Sequence, residues 1–388
     1  MPRKDPIIFV IGCTGTGKSD LGVAIAKKYN GEIISVDSMQ FYQGLDIATN
    51  KITVEEADGV PHHMMSFLDP SSTAGYHVHQ FRSEALRLID EIRDRYRIPI
   101  LVGDDETSDT EFPENDLSNA ELWEMLKKID PESAKLIHPN RRKRVIRAIE
   151  VFRQTGKKKS ELIKEQKSSE NADLGGRLRY PDSLVIYMDA APEVLEKRLD
   201  TRVEKMIRMG LKNELIAFYD KHKSFISSNS YGVMQCIGLK EFVPWLSLDT
   251  EQRESRQGIK LFEQGCEDVK LHTRQYARRQ RRWYMSRLLR RSDGERKMAS
   301  TKMIDTSDKS LIISTGMDIV DSWMSGINYF EEVPQGSRLN SVDANILKTC
   351  DVCNIIISGK NNWEKHIAGK PHRHRQKKFA SQRTGITA

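Results

Sequence analysis

The chain predicts an α/β fold: a P-loop doubly wound parallel sheet with helical additions and a small C-terminal C2H2 zinc finger. Three observations carry this. Gly12-Cys13-Thr14-Gly15-Thr16-Gly17-Lys18-Ser19 follows the pattern G-x-x-x-x-G-K-[ST], with an apolar run before it and a helical run after it. Apolar segments and helical periodicity alternate through the first hundred residues, as in a buried parallel sheet. Cys350, Cys353, His366 and His372 stand at the spacing C-x2-C-x12-H-x5-H.

The elements follow in order. Residues 7–11 are an apolar strand, the glycine loop comes next, and a helix runs over 18–29 with Gly31 placed as its C′ glycine. A second strand covers 32–36, a helix 76–96 and a further strand 99–102. Residues 104–116 are acidic and interrupted by Pro113, so they read as a solvated loop. Ser118 with Glu121 forms a capping box that opens a helix. Helical periodicity returns over 140–155 and closes at Gly156; residues 157–169 read as polar and mobile. A strand over 183–188 ends at Asp189, and a helix starting near Pro192 carries Arg198 and Arg202. Helices continue to about 291. The expected organisation is a first part of the α/β core over 1–117, a shortened helical insertion over 118–180, and the core return with a helical RNA-binding part over 181–291. A linker over 292–345, the finger over 346–378 and a tail over 379–388 complete it.

The chain has 388 residues, of which 38% are hydrophobic and 30% charged, enough for two or three domains. No apolar stretch is long enough to span a bilayer, so no membrane association is expected. Five cysteines without a repeated spacing do not make a disulfide framework and fit a reducing compartment. Too few residues precede the first strand for a targeting peptide. The expected location is the cytoplasm or the nucleus, with a mitochondrial isoform from another start codon left open. The net charge of +7 concentrates in particular segments, and that distribution says more than the sum.

The glycine loop carries the first chemistry. Gly12, Cys13, Thr14, Gly15, Thr16 and Gly17 let the backbone turn its N–H groups toward one anion, and the helix N-terminus adds positive potential. Lys18 supplies a point charge and the Ser19 hydroxyl a Mg²⁺ ligand. Asp37, just past a strand end, is a general base or metal partner beside this loop, or a cap of the next turn. His62 and His63 are either a site wall or packing. Arg198 and Arg202, four apart on one helix face, suit a lid over phosphates or a solvated face. In the run 272–284, Arg274, Gln275, Arg278 and Arg282 interleave with Tyr276, Trp283 and Tyr284, which suits RNA phosphates and unstacked bases. Cys350, Cys353, His366 and His372 complete a tetrahedral structural Zn²⁺ shell, with lysines and arginines at the finger's far end.

Together these residues resemble the tRNA dimethylallyltransferase (tRNA isopentenyltransferase) family in its eukaryotic, zinc-finger form, and look close to nematode members. The match rests on the glycine loop, Val36-Asp37-Ser38-Met39-Gln40, Pro61-His62-His63-Met64, and His138-Pro139-Asn140 with Arg144 to Ala148. It continues through Arg202 to Met206, Gln235 to Phe242 and Thr273 to Gln280. The resemblance implies prenyl transfer from dimethylallyl diphosphate to N6 of the adenosine 3′ of the tRNA anticodon. It implies Asp37 as proton acceptor, Asp37 to Gln40 as the adenine holder, and Arg202 and Arg274 on diphosphate and RNA backbone. It implies tRNA and dimethylallyl diphosphate as partners and no protein partner. One segment departs: the family continues Gly-Thr after the strand, with an aromatic two residues on, where Asp104-Asp105-Glu106 stands here. Two other readings follow from the residues. One is a catalytically impaired RNA-binding member of the family; the other is a nucleotide or small-molecule kinase.

Overall fold

The computed structural model describes residues 3, 5–71, 76, 78–103, 117–168, 179–180, 182–228, 232–285, 299–329 and 347–376. Six strands, β1 (Ile8–Gly12), β2 (Gly31–Ser35), β3 (His62–His63), β4 (Ile98–Gly103), β5 (Leu184–Asp189) and β6 (Ser300–Asp305), form one sheet in the order β3-β2-β4-β1-β5-β6. Every pairing is parallel. All of β5 is buried, as a strand covered on both faces must be.

One face of the sheet presents Ile8, Val10, Ile33, Ile100 and Ile186 to Leu21 and Ile25 of the helix Lys18–Tyr29 and to Trp323 of the helix Ile312–Met324. The other presents Ile7, Ile34 and Leu101 to Leu88, Ile89 and Ile92 of the helix Val78–Asp94. The chain divides into two compact units. One takes residues 1–110 and 178–333 and holds the sheet; the other takes 111–177 and 334–388. In the second, helices Asn119–Ile129 and Arg142–Thr155 bury Leu122, Leu126, Val145 and Ile149 against each other. The Ser118–Glu121 capping box is present there. The finger, in the same unit, is a hairpin of β7 (Leu347–Cys350) and β8 (Ile355–Ser358) followed by a helix, Lys360–Ala368.

Three expectations are corrected. The expected linker over 292–345 is in part core: β6 pairs in register with β5, and Gly316 lets the next helix close on Leu21, where a Cβ would stand 2.3 Å from a Leu21 methyl. Ser300-Thr301-Lys302-Met303-Ile304-Asp305 is too polar to read as a strand alone; the open edge of β5 supplies its pairing. The stretch 157–169, expected to be polar and mobile, contains a helix, Lys159–Ser168. Its first turn is held by buried Asp130, which accepts from the Ser160 N–H at 2.9 Å and hydroxyl at 2.7 Å, a tertiary cap invisible locally. Asn30, not Gly31, takes the left-handed C-cap of the P-loop helix, at φ 50°. Gly31 opens β2, where a side chain would meet Ile98 and Ile100. The acidic stretch 104–116 lies outside the described residues.

Candidate active site and zinc centre

The glycine loop joins β1 to its helix, and two of its glycines are dictated by contact and conformation. A Cβ on Gly12 would lie 2.1 Å from the Met188 carbonyl oxygen of β5, so only glycine allows this strand pair to close. Gly17 sits at φ 89° as the helix N-cap, a left-handed conformation that favours glycine. Lys18 Nζ arches back and donates to the Gly12 and Cys13 carbonyls at 3.0 and 2.8 Å. The Thr16 hydroxyl donates to the Cys13 carbonyl at 2.8 Å and closes the inner turn. Ser19 is exposed in the first helical turn, its hydroxyl bonded to no described residue. A hard cation bridging a phosphate here would find an oxygen ligand of the right chemistry.

Because β4 lies between β1 and β2 in the sheet, the carboxyl end of β4 separates the loop from the segment after β2. Gly103 comes so close to that segment that a Cβ on it would stand 3.0 Å from the Asp37 nitrogen. Asp37 caps the 3₁₀ turn Ser38–Phe41 by accepting from the Met39 N–H at 3.0 Å. The capping alternative is therefore realised, with Oδ1 accepting the Met39 N–H. Met39 packs against the cluster containing Phe218 and Val233. The Gln40 carboxamide accepts from the Ser35 hydroxyl at 3.1 Å and donates to the Thr49 and Asn50 carbonyls. The Ser38 hydroxyl is buried and bonded to no described residue.

The two arginines of the helix Pro192–Arg208 part company. Arg202 Nη1 donates to the Thr14 hydroxyl at 2.9 Å, so it reaches the loop. Arg198 donates from Nη2 to the Ser307 carbonyl at 2.8 Å, beyond the end of β6, and its Nη1 is buried and bonded to no described residue. His63 points away from the loop to Glu32, which also accepts from Arg95 and Arg97. His62 Nδ1 lies 2.8 Å from the Val60 carbonyl, and burial lowers its pKa. Both histidines are half-buried and hydrogen-bonded, His62 to the Val60 carbonyl and His63 to Glu32.

The helix Arg256–Tyr284 has two stripes. Thr273, Ala277, Gln280 and Tyr284 are buried; Gln275, Arg278, Arg279, Arg282 and Trp283 are exposed, recurring at i, i+3, i+4, i+7 and i+8. Arg274 pairs with Asp200 and Arg278 with Glu196, both on the helix Pro192–Arg208. Tyr284 is 1% exposed and packs on Tyr187 of β5, so it is not a base-stacking group as expected. Trp283 is 42% exposed and keeps that possibility.

In the finger, the four donor atoms of Cys350, Cys353, His366 and His372 lie within 4.8 Å of one another. His372 Nδ1 stands 3.5 Å from each sulfur and 3.1 Å from His366 Nε2. A tetrahedron with Zn–S of about 2.3 Å and Zn–N of about 2.0 Å has edges of roughly 3.3–3.8 Å, so the set fits Zn²⁺.

Comparison with known proteins decides the family. The IPP transferase family model matches residues 40–287, an isopentenyl transferase model matches 6–66, and a C2H2-type zinc-finger model matches 348–372. The tRNA dimethylallyltransferase of Mus musculus is 33% identical over 97% of this chain and 87% of its own length; that of Saccharomyces cerevisiae is 32% identical over 97% and 93%. A solved eukaryotic dimethylallyltransferase acting on tRNA superposes with a TM-score of 0.74 at 28% identity, covering 99% of both chains. The chain belongs to the tRNA dimethylallyltransferase family.

Within this dimethylallyltransferase fold, several site-forming residues escape a reading of the sequence. Glu214 clamps the segment after Asp37, accepting from the Ile47 and Ala48 N–H groups at 2.8 and 2.9 Å. Arg281 Nε donates to Asp189 at 2.8 Å where β5 ends; burial raises the Asp189 pKa against the pull of Arg281. Gln280 Oε1 accepts from the Thr14 N–H at 2.9 Å. Gln280 stands in the matched run Thr273 to Gln280, but its role shows only in the buried stripe 273, 277, 280, 284.

Proposed function

We propose that the chain transfers the dimethylallyl group of dimethylallyl diphosphate to N6 of the adenosine 3′ of the anticodon in certain tRNAs, releasing diphosphate. The observation that carries this reading is the placement of the phosphate-binding loop and the Asp37 carboxyl group at the ends of β1 and β2, with only β4 between them. The N6 lone pair forms a bond to the allylic carbon as the carbon–oxygen bond breaks. That electron pair leaves on diphosphate, and the N6 proton passes to Asp37. Loop amides, Lys18 and Arg202 meet the charge that grows on the leaving group. Mg²⁺, held by Ser19 and the diphosphate, would supply Lewis-acid stabilisation of that group. The adenosine must leave its stack to reach the carboxylate, at a cost of a few kcal/mol. Ser38, with its orphaned buried hydroxyl, and Gln40 are the residues proposed to hold it beside Asp37. Gln275, Arg278 and Arg282 present a cationic face to the RNA, and Arg274 stands next to them beside Asp200.

The test is transfer of labelled prenyl group from dimethylallyl diphosphate to a tRNA with adenosine at that position, abolished by Asp37→Ala. No incorporation at micromolar enzyme defeats the reading. Salt-sensitive RNA binding without turnover would revive the impaired-member alternative, and phosphate transfer from ATP the kinase; family membership favours neither.

A further inference from the structure

Gln280 is 5% exposed, and its carboxamide touches the phosphate loop. The Thr14 backbone nitrogen is a donor, so the atom facing it at 2.9 Å must be the amide oxygen; this fixes the orientation of the group. The NH₂ hangs from the same carbon and therefore also lies beside the loop. It is buried and bonded to no described residue. A buried amide donor left without an acceptor costs roughly 1–3 kcal/mol, so such a group calls for an explanation. Thr14 is gripped a second time, through its hydroxyl, by Arg202. Two helices thus meet the loop at one residue, one through a guanidinium and one through a carboxamide.

We propose that Gln280 is a diphosphate-binding residue: its oxygen sets the Thr14 amide and its NH₂ donates to an oxygen of the prenyl diphosphate. This rests on the transfer reaction proposed above. An uncharged donor suits this position, since it can hold an anion while its oxygen still accepts from the loop, which lysine or arginine cannot do. The residue also ties the RNA-facing helix to the leaving-group site through one side chain.

The experiment uses the full-length enzyme with inorganic diphosphate and Mg²⁺ as probe, measured by calorimetry, beside tRNA affinity. Gln280→Glu keeps the acceptor for Thr14, removes the donors and adds a negative charge, so the neutral Gln280→Met is measured beside it to separate lost donation from repulsion. Both are expected to weaken diphosphate binding about tenfold or more and to raise the prenyl-donor KM, with tRNA affinity unchanged. Diphosphate affinity equal to wild type overturns the proposal, because Oε1 alone would then account for the residue. Parallel loss of tRNA affinity overturns it too, since the residue would then only hold the helix in place. If Gln280→Glu does not fold, Gln280→Met, of similar shape, is judged by the same two affinities. Wild-type prenyl transfer is assayed alongside: its absence counts against the reaction, whereas an unaltered Gln280→Glu counts against Gln280 alone.

Discussion

Asp37 caps a turn and is the proposed proton acceptor, and substitution can separate the two roles. Asparagine keeps an oxygen for the Met39 N–H but cannot take a proton at neutral pH. Asp37→Asn is expected to keep stability within about 0.5 kcal/mol and to lower turnover by about 10²-fold or more. Asp37→Ala removes the cap as well and costs about 1 kcal/mol in urea unfolding. Equal turnover of Asp37→Asn and wild type would remove the carboxylate from the chemistry. Glu32 is a different buried acid. Burial pulls its pKa up, but hydrogen bonds and charge from Arg95 and His63 outweigh that and lower it from 4.5 to about 2. A depressed folded pKa contributes stability that is present above pH 4.5 and lost as the pH falls through about 2. In Glu32→Gln, unfolding free energy should vary less with pH in that window, by up to one proton in slope. An unchanged slope would mean that the arginines do not hold the charge.

The helix Arg256–Tyr284 shows how one element serves core and surface. Its buried stripe meets the glycine loop and β5 through Ala277, Gln280 and Tyr284; its exposed stripe carries arginine. Substitutions on the two stripes should fail in different assays. Arg282→Ala is expected to weaken tRNA binding and to reduce the slope of log affinity against log salt by up to about 0.9, with unfolding unchanged. Tyr284→Ala empties a fully buried ring site and is expected to cost about 3 kcal/mol or more in stability. If Arg282→Ala leaves the salt slope untouched, the exposed stripe does not lie on RNA phosphates. The 3.6-residue period was visible in the sequence, but which stripe faced inward was not. Tyr284 could have been a stacking group until β5 supplied Tyr187 to cover it.

Across the whole molecule, stability is divided unequally. Among the described finger residues only Cys350, Gly359 and His372 are buried, so two of the metal ligands are most of its interior. A chelator, or Cys350→Ser, should therefore open residues 347–376 to protease while the sheet's cooperative unfolding persists; structural zinc contributes about 10–16 kcal/mol to such a module. Continued protection of the finger in chelator would show that it folds without metal. The glycine loop, the strand–helix alternation and the four zinc ligands were legible because each depends on residues close in sequence, whose spacing dictates the local geometry. Asp130 capping a helix thirty residues away, β6 completing the sheet and Arg198 bonding the Ser307 carbonyl were not. Local sequence determined which groups could bind phosphate and zinc. Tertiary packing decided which arginine reached the loop, which aromatic was spent on the core and which amide was left with a hydrogen bond to give, because those outcomes depend on partners that only the folded sheet brings within reach.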